Sequence, residues 1–105
     1  MIEKEKINEV IDKIVNNYHP EKIILFGSYA AGCQDEKSDL DLLIIKDTDK
    51  LSFERDIEVL KLFRGLKIPL DILVYTNDEF NKWKNLKTSF ESNVLKTGEI
   101  LYAAD

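Results

Sequence analysis

A glycine-serine pair and an Asp-x-Asp pair have the residue types and the spacing to act on a phosphate. Gly27-Ser28 is followed, after ten residues, by Asp39-Leu40-Asp41. Glycine has no side chain to block the approach of the backbone to a polyphosphate. The Ser28 hydroxyl and the amides that follow can donate hydrogen bonds to it, particularly if a helix begins there. The two aspartates supply hard oxygen ligands of the kind that magnesium takes.

The two aspartates are expected to share one face of a strand. The segment Leu40–Ile45, apolar except for Asp41, predicts that strand. Because side chains alternate along a strand, Asp39 and Asp41 project from one face, about 6.6 Å apart at a rise of roughly 3.3 Å per residue. Leu40, Leu42 and Ile44 then occupy the other face. A slip of one residue would bury both acids, so this register is strongly favoured.

A third carboxylate can join the first two. Asp71 alternates with apolar neighbours in a predicted strand over residues 69–75, and it meets Asp39 and Asp41 if the strands are neighbours. Two unit charges about 5 Å apart repel by roughly 3 kcal/mol at an effective dielectric constant near 20. Such a cluster is unfavourable unless cations or protons relieve it. Two magnesium ions about 3.5 to 4 Å apart can clamp the attacking and leaving oxygens of an in-line displacement at phosphorus.

The elements that position these residues follow from apolar periodicity and from helix and turn signals. The predicted helices cover residues 2–17, 53–64, a segment that begins at Thr76 and a segment that begins at Thr88 and ends near Gly98. The predicted strands cover residues 23–26, 40–45, 69–75 and, as a terminal edge strand, 100–102. Thr76 and Thr88 each open a Thr-x-x-Glu capping box. Residues 27–38 are polar and connect the first two strands.

The helix over residues 53–64 has clear terminal signals and an apolar face. Ser52 is the expected N-cap, and Gly65 lies just past the last turn. The inner face is expected to consist of Phe53, Ile57, Leu60 and Phe63, widened by Val59 and Leu62. The order helix, strand, strand, helix, strand, helix, helix predicts a single α/β domain over residues 1–105, a small sheet flanked by helices.

Composition excludes several classes of protein. The 105 residues carry a formal net charge of -5, the wrong sign for a protein that binds nucleic acid through its phosphates. Cys33 is the only cysteine and His19 the only histidine, so neither a disulfide nor structural zinc is expected. The charged N-terminal segment does not suit a signal peptide, and no apolar run can span a bilayer. We therefore expect a cytoplasmic protein that contacts neither membranes nor nucleic acids directly.

The segment from Gly27 to Asp41 resembles the Gly-Ser, ten residues, Asp-x-Asp signature of the DNA polymerase beta-like nucleotidyltransferase superfamily, and Asp71 matches its later strand-borne acid. The length and the element order look like the minimal nucleotidyltransferases, the antitoxin partners of HEPN toxins. The resemblance covers about residues 7 to 102. It implies the nucleotidyltransferase fold, with a small mixed β-sheet flanked by helices, and a magnesium-dependent transfer of AMP from ATP to a hydroxyl of a partner protein.

The resemblance also implies roles for individual residues. Gly27 and Ser28 would hold the triphosphate, while Asp39 and Asp41 would bind magnesium. Asp71 would complete the metal site and help to deprotonate the acceptor, often a tyrosine of the HEPN-type toxin.

Three further positions bear on the nucleotide site. Lys37 is close enough to the motif to reach a phosphate, and Ser38 is a further nucleotide-binding candidate. Many relatives carry arginine where this chain has Ala31, which removes one possible phosphate contact.

Two alternatives remain. A catalytically idle module that inhibits its partner by occlusion would have no use for three mutually repelling acids. A small-molecule nucleotidyltransferase generally appends a helical substrate domain, for which 105 residues leave no room. The sequence does not fix the nucleotide base, the acceptor residue or the oligomeric state.

Overall fold

The computed structural model describes residues 2–35, 37–66, 68–83, 94 and 97–104, which form a mixed four-stranded sheet flanked by helices. The helices are α1 (Lys4–Tyr18), α2 (Gly27–Ala31), α3 (Ser52–Leu60), a 3₁₀ turn (Lys61–Phe63) and α4 (Asn77–Trp83). The strands are β1 (Lys22–Phe26), β2 (Leu40–Ile45), β3 (Leu70–Tyr75) and β4 (Glu99–Ala103). The predicted α/β architecture is confirmed, whereas the Thr88 capping box lies outside the described residues.

The sheet has the order β3-β2-β1-β4. β2 runs antiparallel to β1 and parallel to β3, and β4 pairs antiparallel with β1 at the opposite edge. The predicted terminal strand therefore exists and is an edge strand. This topology brings the end of β1 and the beginnings of β2 and β3 to one end of the sheet.

Apolar side chains cover both faces of β2. Leu40, Leu42 and Ile44 belong to a core cluster with α1 and α3 residues, among them Ile14 and Val59. The other face packs a second cluster, which consists of Ile24, Leu43, Ile45, Phe80 and Val94. The predicted side-chain alternation is confirmed, and Asp41 is the only residue of β2 that is not buried.

The first helix ends as its sequence predicts. His19 takes a left-handed backbone conformation, with φ of 54°, and its N–H donates to the Val15 carbonyl at 3.2 Å. Pro20 follows, and proline disfavours helical geometry in the preceding residue. None of the helices in the described part of the chain is long and apolar enough to cross a membrane.

The polar segment over residues 27–38 begins with the short helix α2, the helix start that the sequence allows after β1. One local prediction, the N-cap of α3, needs correction. Ser52 is the first residue of α3 and not its N-cap, a position that Leu51 occupies without a capping side-chain bond.

The predicted inner face of α3 is largely wrong. Phe53, Ile57 and Leu60 are 59%, 47% and 42% exposed, whereas Val59 and Phe63 are buried. Arg55 is the reason, because this helix turns its guanidinium inward. Its Nε donates to the Lys50 carbonyl at 2.7 Å, and its NH1 donates to Glu79 Oε1 at 2.6 Å. A buried arginine must be paired, so these bonds fix which side of α3 faces the sheet.

The Thr76 capping box is confirmed. The Glu79 N–H donates to Thr76 Oγ1 at 3.2 Å, and the Thr76 N–H donates to Glu79 Oε1 at 2.9 Å. These reciprocal bonds satisfy two N–H groups at the start of α4. Glu79 thus joins α4 to the buried Arg55 as well.

Candidate active site

The sheet register places the predicted site residues side by side. Phe26, the last residue of β1, pairs with Asp41, and Asp41 pairs with Asp71 across the parallel β2–β3 ladder. Residues that face each other across a ladder project from the same side of the sheet. Gly27 follows Phe26 directly and begins α2, so it lies beside Asp41, and Asp71 lies beside Asp41 on the neighbouring strand.

Gly27 lies directly against the Asp41 carboxylate. Its φ is +75°, and a Cβ atom at this position would be 2.1 Å from Asp41 Oδ2. No residue with a side chain fits here unless Asp41 moves, and the left-handed backbone itself disfavours one. The first residue of α2 therefore presents bare backbone next to a carboxylate.

Asp41 and Asp71 share a side-chain hydrogen bond. Burial raises the pKa of Asp41 to about 6, with further increases from the charges of Asp71 and Asp39 and from that bond. A hydrogen bond between two carboxyl groups requires a proton on one of them. The electrostatic tension that the sequence predicts is therefore present, and a proton on Asp41 relieves it only below a pH of about 6.

Asp39 occupies a different setting from the other two acids. It lies immediately before β2, which begins at Leu40, and it is exposed, as is Asp71. Its charge nevertheless raises the pKa of Asp41, after the larger effects of burial and of Asp71. Asp39 is close enough to act on the pair electrostatically.

Three carboxylates supply the hard oxygen ligands that magnesium prefers. Within the described residues, however, no three His, Cys, Asp or Glu side chains are arranged to hold one metal ion. The donor chemistry of the three acids thus fits magnesium, whereas their arrangement in this structure is not that of three ligands of one ion.

The turn before Asp39 is organised by Asp35. The Asp35 N–H donates to Ser38 Oγ at 2.9 Å, and the Lys37 N–H donates to Asp35 Oδ1 at 2.8 Å. Ser38 Oγ also donates to Asp35 Oδ1 at 3.3 Å. The Ser38 hydroxyl therefore holds the turn, while the Lys37 side chain is exposed. This role of Asp35 is not identified in the sequence analysis, although Asp-x-x-Ser is a pattern typical of such turns.

Asp56 is a further acid near the site, and the sequence motifs do not identify it. It is half-buried on α3, and its Oδ1 accepts a hydrogen bond from the Val74 N–H at 3.1 Å. Burial raises its pKa, as does the charge of Asp71, while the Val74 bond and Arg55 lower it. The sheet edge next to Asp71 is thus lined by another carboxylate.

Known proteins resemble this chain over most of its length. The family model described as Polymerase beta, Nucleotidyltransferase matches residues 8–105. A Methanocaldococcus jannaschii protein, provisionally named a protein adenylyltransferase, is 37% identical over 105 residues, which are 97% of this chain and 100% of the relative.

Solved structures share the fold at lower identity. A provisionally named nucleotidyltransferase from Sulfolobus solfataricus aligns with a TM-score of 0.63 and 20% identity, over 92% of this chain and 77% of that one. A toxin-antitoxin structure with AMP-PNP aligns with a TM-score of 0.64 and 24% identity, over 93% of this chain and 73% of that one. The predicted nucleotidyltransferase fold is confirmed.

Proposed function

Because this chain belongs to the polymerase beta nucleotidyltransferase family, we propose that it transfers AMP from ATP to a tyrosine hydroxyl of a partner protein. The relative that is provisionally named a protein adenylyltransferase supports a protein acceptor. The fold likeness to a toxin-antitoxin structure with AMP-PNP supports ATP as donor and a toxin as partner. The partner is a HEPN-type toxin, and this chain is its antitoxin.

One observation carries the proposal, namely the contiguity of Gly27, Asp41 and Asp71. Bare backbone at Gly27 adjoins the Asp41 carboxylate, and Asp41 is hydrogen-bonded to Asp71. Polyphosphate binding needs the open backbone, whereas metal binding needs the acids. A structural role alone does not explain why two repelling carboxyl groups occupy neighbouring positions in a sheet.

Each site residue has a proposed role. Gly27 and Ser28 bind the triphosphate at the start of α2, and the Lys37 ammonium reaches a phosphate. Ser38 acts chiefly by holding the turn, with nucleotide contact as a second role. Ala31 is exposed and offers no charged contact to the nucleotide.

Asp39, Asp41 and Asp71 are the proposed ligands of magnesium. We expect two ions, because a pair of metal ions suits an in-line displacement at phosphorus. When bound, magnesium offsets the charge of the triphosphate and orients it. In the transfer, the acceptor oxygen forms a bond to the α-phosphorus, and the bond to the bridging oxygen breaks. Pyrophosphate leaves with that electron pair, and the hydroxyl proton passes to the Asp71 carboxylate. An unperturbed tyrosine has a pKa of about 10, so it needs this help at neutral pH.

The test is transfer of label to the toxin. The chain, magnesium and the HEPN-type toxin are incubated with ATP labelled on the α-phosphate, and in parallel with ATP labelled on the γ-phosphate. We expect label on the toxin only from the α-position. Asp41→Asn and Asp71→Asn should abolish it, whereas Asp12→Asn, on the exposed side of α1, should not.

Two outcomes would contradict the proposal. A toxin that binds tightly without becoming labelled indicates inhibition by occlusion. Label transferred to a small molecule in place of the toxin indicates a small-molecule nucleotidyltransferase.

A further inference from the structure

Helix α2 carries the residues proposed to bind the triphosphate, yet none of its five residues is buried. Its N-cap residue, Phe26, makes no capping hydrogen bond with its side chain. The Ser28 carbonyl accepts a hydrogen bond from the Cys33 N–H at 3.0 Å, but that bond is local to the helix and its end. A helix this short gains little stability from its own backbone, so its position depends on contacts with other parts of the protein.

Tyr29 makes the contact between α2 and the most distant segment of the chain. Its hydroxyl oxygen accepts a hydrogen bond from the Ile2 N–H at 2.9 Å, across 27 positions of sequence. Among the residues that the structure describes, this is the only hydrogen bond that joins α2 to a segment distant in sequence. The Tyr29 ring is also half-buried against the core cluster that contains Leu42. One side chain therefore packs α2 on the core and connects it to the N-terminal segment.

The N-terminal segment gives Tyr29 a fixed partner. Ile2 is half-buried against the same core cluster and lies just before α1, which begins at Lys4. α1 is in turn held on the sheet by buried side chains, among them Val10 and Ile14. The Ile2 N–H therefore belongs to a well-packed part of the protein, and a hydrogen bond to it limits the movement of α2.

The position of α2 matters because its first residue adjoins an acid of the site. A Cβ atom at Gly27 would be 2.1 Å from Asp41 Oδ2. A small displacement of α2 would therefore change the separation between the Gly27 backbone and the Asp41 carboxylate. In the proposed function the triphosphate binds to this backbone and magnesium binds to that carboxylate. Groups that are held near their bound positions before the ligand arrives bind it more tightly.

We propose that Tyr29 is a positioning residue for the nucleotide. Through its hydrogen bond with the Ile2 N–H, Tyr29 holds α2 so that Gly27 and Ser28 meet the triphosphate beside Asp41. This inference rests on the proposed function. The Tyr29 ring packs on the core, so Tyr29 acts through α2 and not by touching the nucleotide.

The experiment removes one hydroxyl group and compares the result with a matched tyrosine. Tyr29→Phe keeps the ring and loses the acceptor for the Ile2 N–H. Tyr102→Phe is the control, because Tyr102 on β4 is half-buried against the same core cluster and its hydroxyl makes no hydrogen bond to the described residues. Binding of ATP with magnesium is measured by calorimetry. The KM values for ATP and for the HEPN-type toxin are measured by transfer of label from the α-phosphate.

Tyr29→Phe should weaken ATP binding and raise the KM for ATP about threefold to fivefold. A change of about this size in an equilibrium constant is typical when one neutral hydrogen bond is lost. The kcat and the KM for the toxin should change little, because the three acids remain intact. Tyr102→Phe should behave like the wild type in all of these quantities.

Amide hydrogen exchange separates a local role of Tyr29 from a general loss of stability. The Cys33 N–H, bonded to the Ser28 carbonyl, reports on α2, whereas the Leu40 N–H, bonded to the Pro69 carbonyl at 2.8 Å, reports on the sheet. Tyr29→Phe should increase the exchange rate several-fold at Cys33 and leave the rate at Leu40 unchanged, because only local opening becomes easier. A general loss of stability would increase both rates.

Four outcomes would overturn the positioning role. They are an unchanged KM for ATP in Tyr29→Phe, an equal rise of that KM in Tyr102→Phe, exchange rates that increase equally at Cys33 and Leu40, and absence of ATP binding to the wild type.

Failure of the proposed function is distinguishable from failure of the positioning role. ATP binding that weakens in Tyr29→Phe, while the wild type leaves no label on the toxin, rejects AMP transfer and keeps the positioning role. Label on the toxin, with a KM for ATP that does not depend on the Tyr29 hydroxyl, does the reverse.

Discussion

Asp41 faces Asp71 across the parallel ladder of β2 and β3, and their carboxyl groups share a hydrogen bond. In the folded protein this arrangement favours a proton on Asp41, whose pKa burial raises to about 6 with help from Asp71 and Asp39. The pair is electrostatically unfavourable once both groups ionise. This electrostatic cost is a property of the site that can be measured as a change in protein stability, without knowledge of the substrate.

Asp41→Asn should stabilise the protein at neutral pH in the absence of metal. The raised pKa of Asp41 means that its stabilising contribution is complete below about pH 4, the unfolded value, and is lost as the pH rises through about 6. Asparagine cannot ionise, yet it can donate a hydrogen bond to Asp71. The variant should therefore melt above the wild type at pH 7.5, with a smaller difference at pH 4, in thermal unfolding followed by circular dichroism. An Asp12→Asn control should show no such difference, and a variant that melts lower at pH 7.5 would contradict the argument.

Gly27→Ala should damage the site more than Gly32→Ala does. Both glycines have nearly the same left-handed backbone, with φ of +75° and +74°. A Cβ atom at Gly32 meets nothing within 4 Å, whereas one at Gly27 would be 2.1 Å from Asp41 Oδ2. Alanine at Gly32 should cost about 1 to 2 kcal/mol from backbone strain alone. Alanine at Gly27 should cost more, and it should remove the increase in melting temperature that we expect ATP with magnesium to produce in the wild type. Equal effects of the two variants would show that the contact with Asp41 is unimportant.

Much of the fold follows from local signals in the sequence. The capping box at Thr76 formed as predicted because all its partners lie within four residues of chain. The β2 register was equally predictable. Leu40 and Leu42, the two neighbours of Asp41, are buried together only if Asp41 projects from the opposite face, and both are buried in the structure. Helix α3 was not predictable in this way. Its apolar residues suit two faces, and the choice between them depends on Glu79, which is 24 residues away from Arg55.

The candidate site was predictable in its membership and less so in its details. The motif identified Gly27, Asp41 and Asp71, and the strand pairing then determined that they are neighbours. The roles of Asp35 and Asp56 depend on hydrogen bonds to Ser38 and Val74 that apolar periodicity does not report. The arrangement of the three acids as metal ligands remains a prediction.

Asp35→Ala should disorganise the turn that leads to Asp39. Asp35 Oδ1 accepts hydrogen bonds from the Lys37 N–H and from Ser38 Oγ, and alanine removes that acceptor. The loss of exposed turn bonds should cost about 1 kcal/mol in the free energy of unfolding, measured by urea denaturation. AMP transfer should fall as well. Asp35→Asn keeps the Oδ1 acceptor and should behave like the wild type. If both variants lose activity equally, the negative charge of Asp35 matters and the turn geometry does not.

Arg55→Ala should be the most destabilising of these substitutions, although Arg55 is remote from the acid pair in sequence. The side chain is 6% exposed and connects α3 to the Lys50 carbonyl and to Glu79, which itself caps α4. Glu79 is partly exposed and can be solvated after the change, so the cost should be about 2 to 3 kcal/mol, below that of a fully buried pair. The hydrogen bond from Arg55 lowers the pKa of Glu79, so this part of the stability is present above about pH 4.5 and is lost as the pH falls further. Urea denaturation at pH 7 and pH 3.5 should therefore show a larger difference between variant and wild type at pH 7.

Lys6→Ala is the control, because the Lys6–Glu9 pair is exposed at both ends and should contribute less than about 0.5 kcal/mol. Equal, small losses for Arg55→Ala and Lys6→Ala would mean that the buried guanidinium does not determine the orientation of α3.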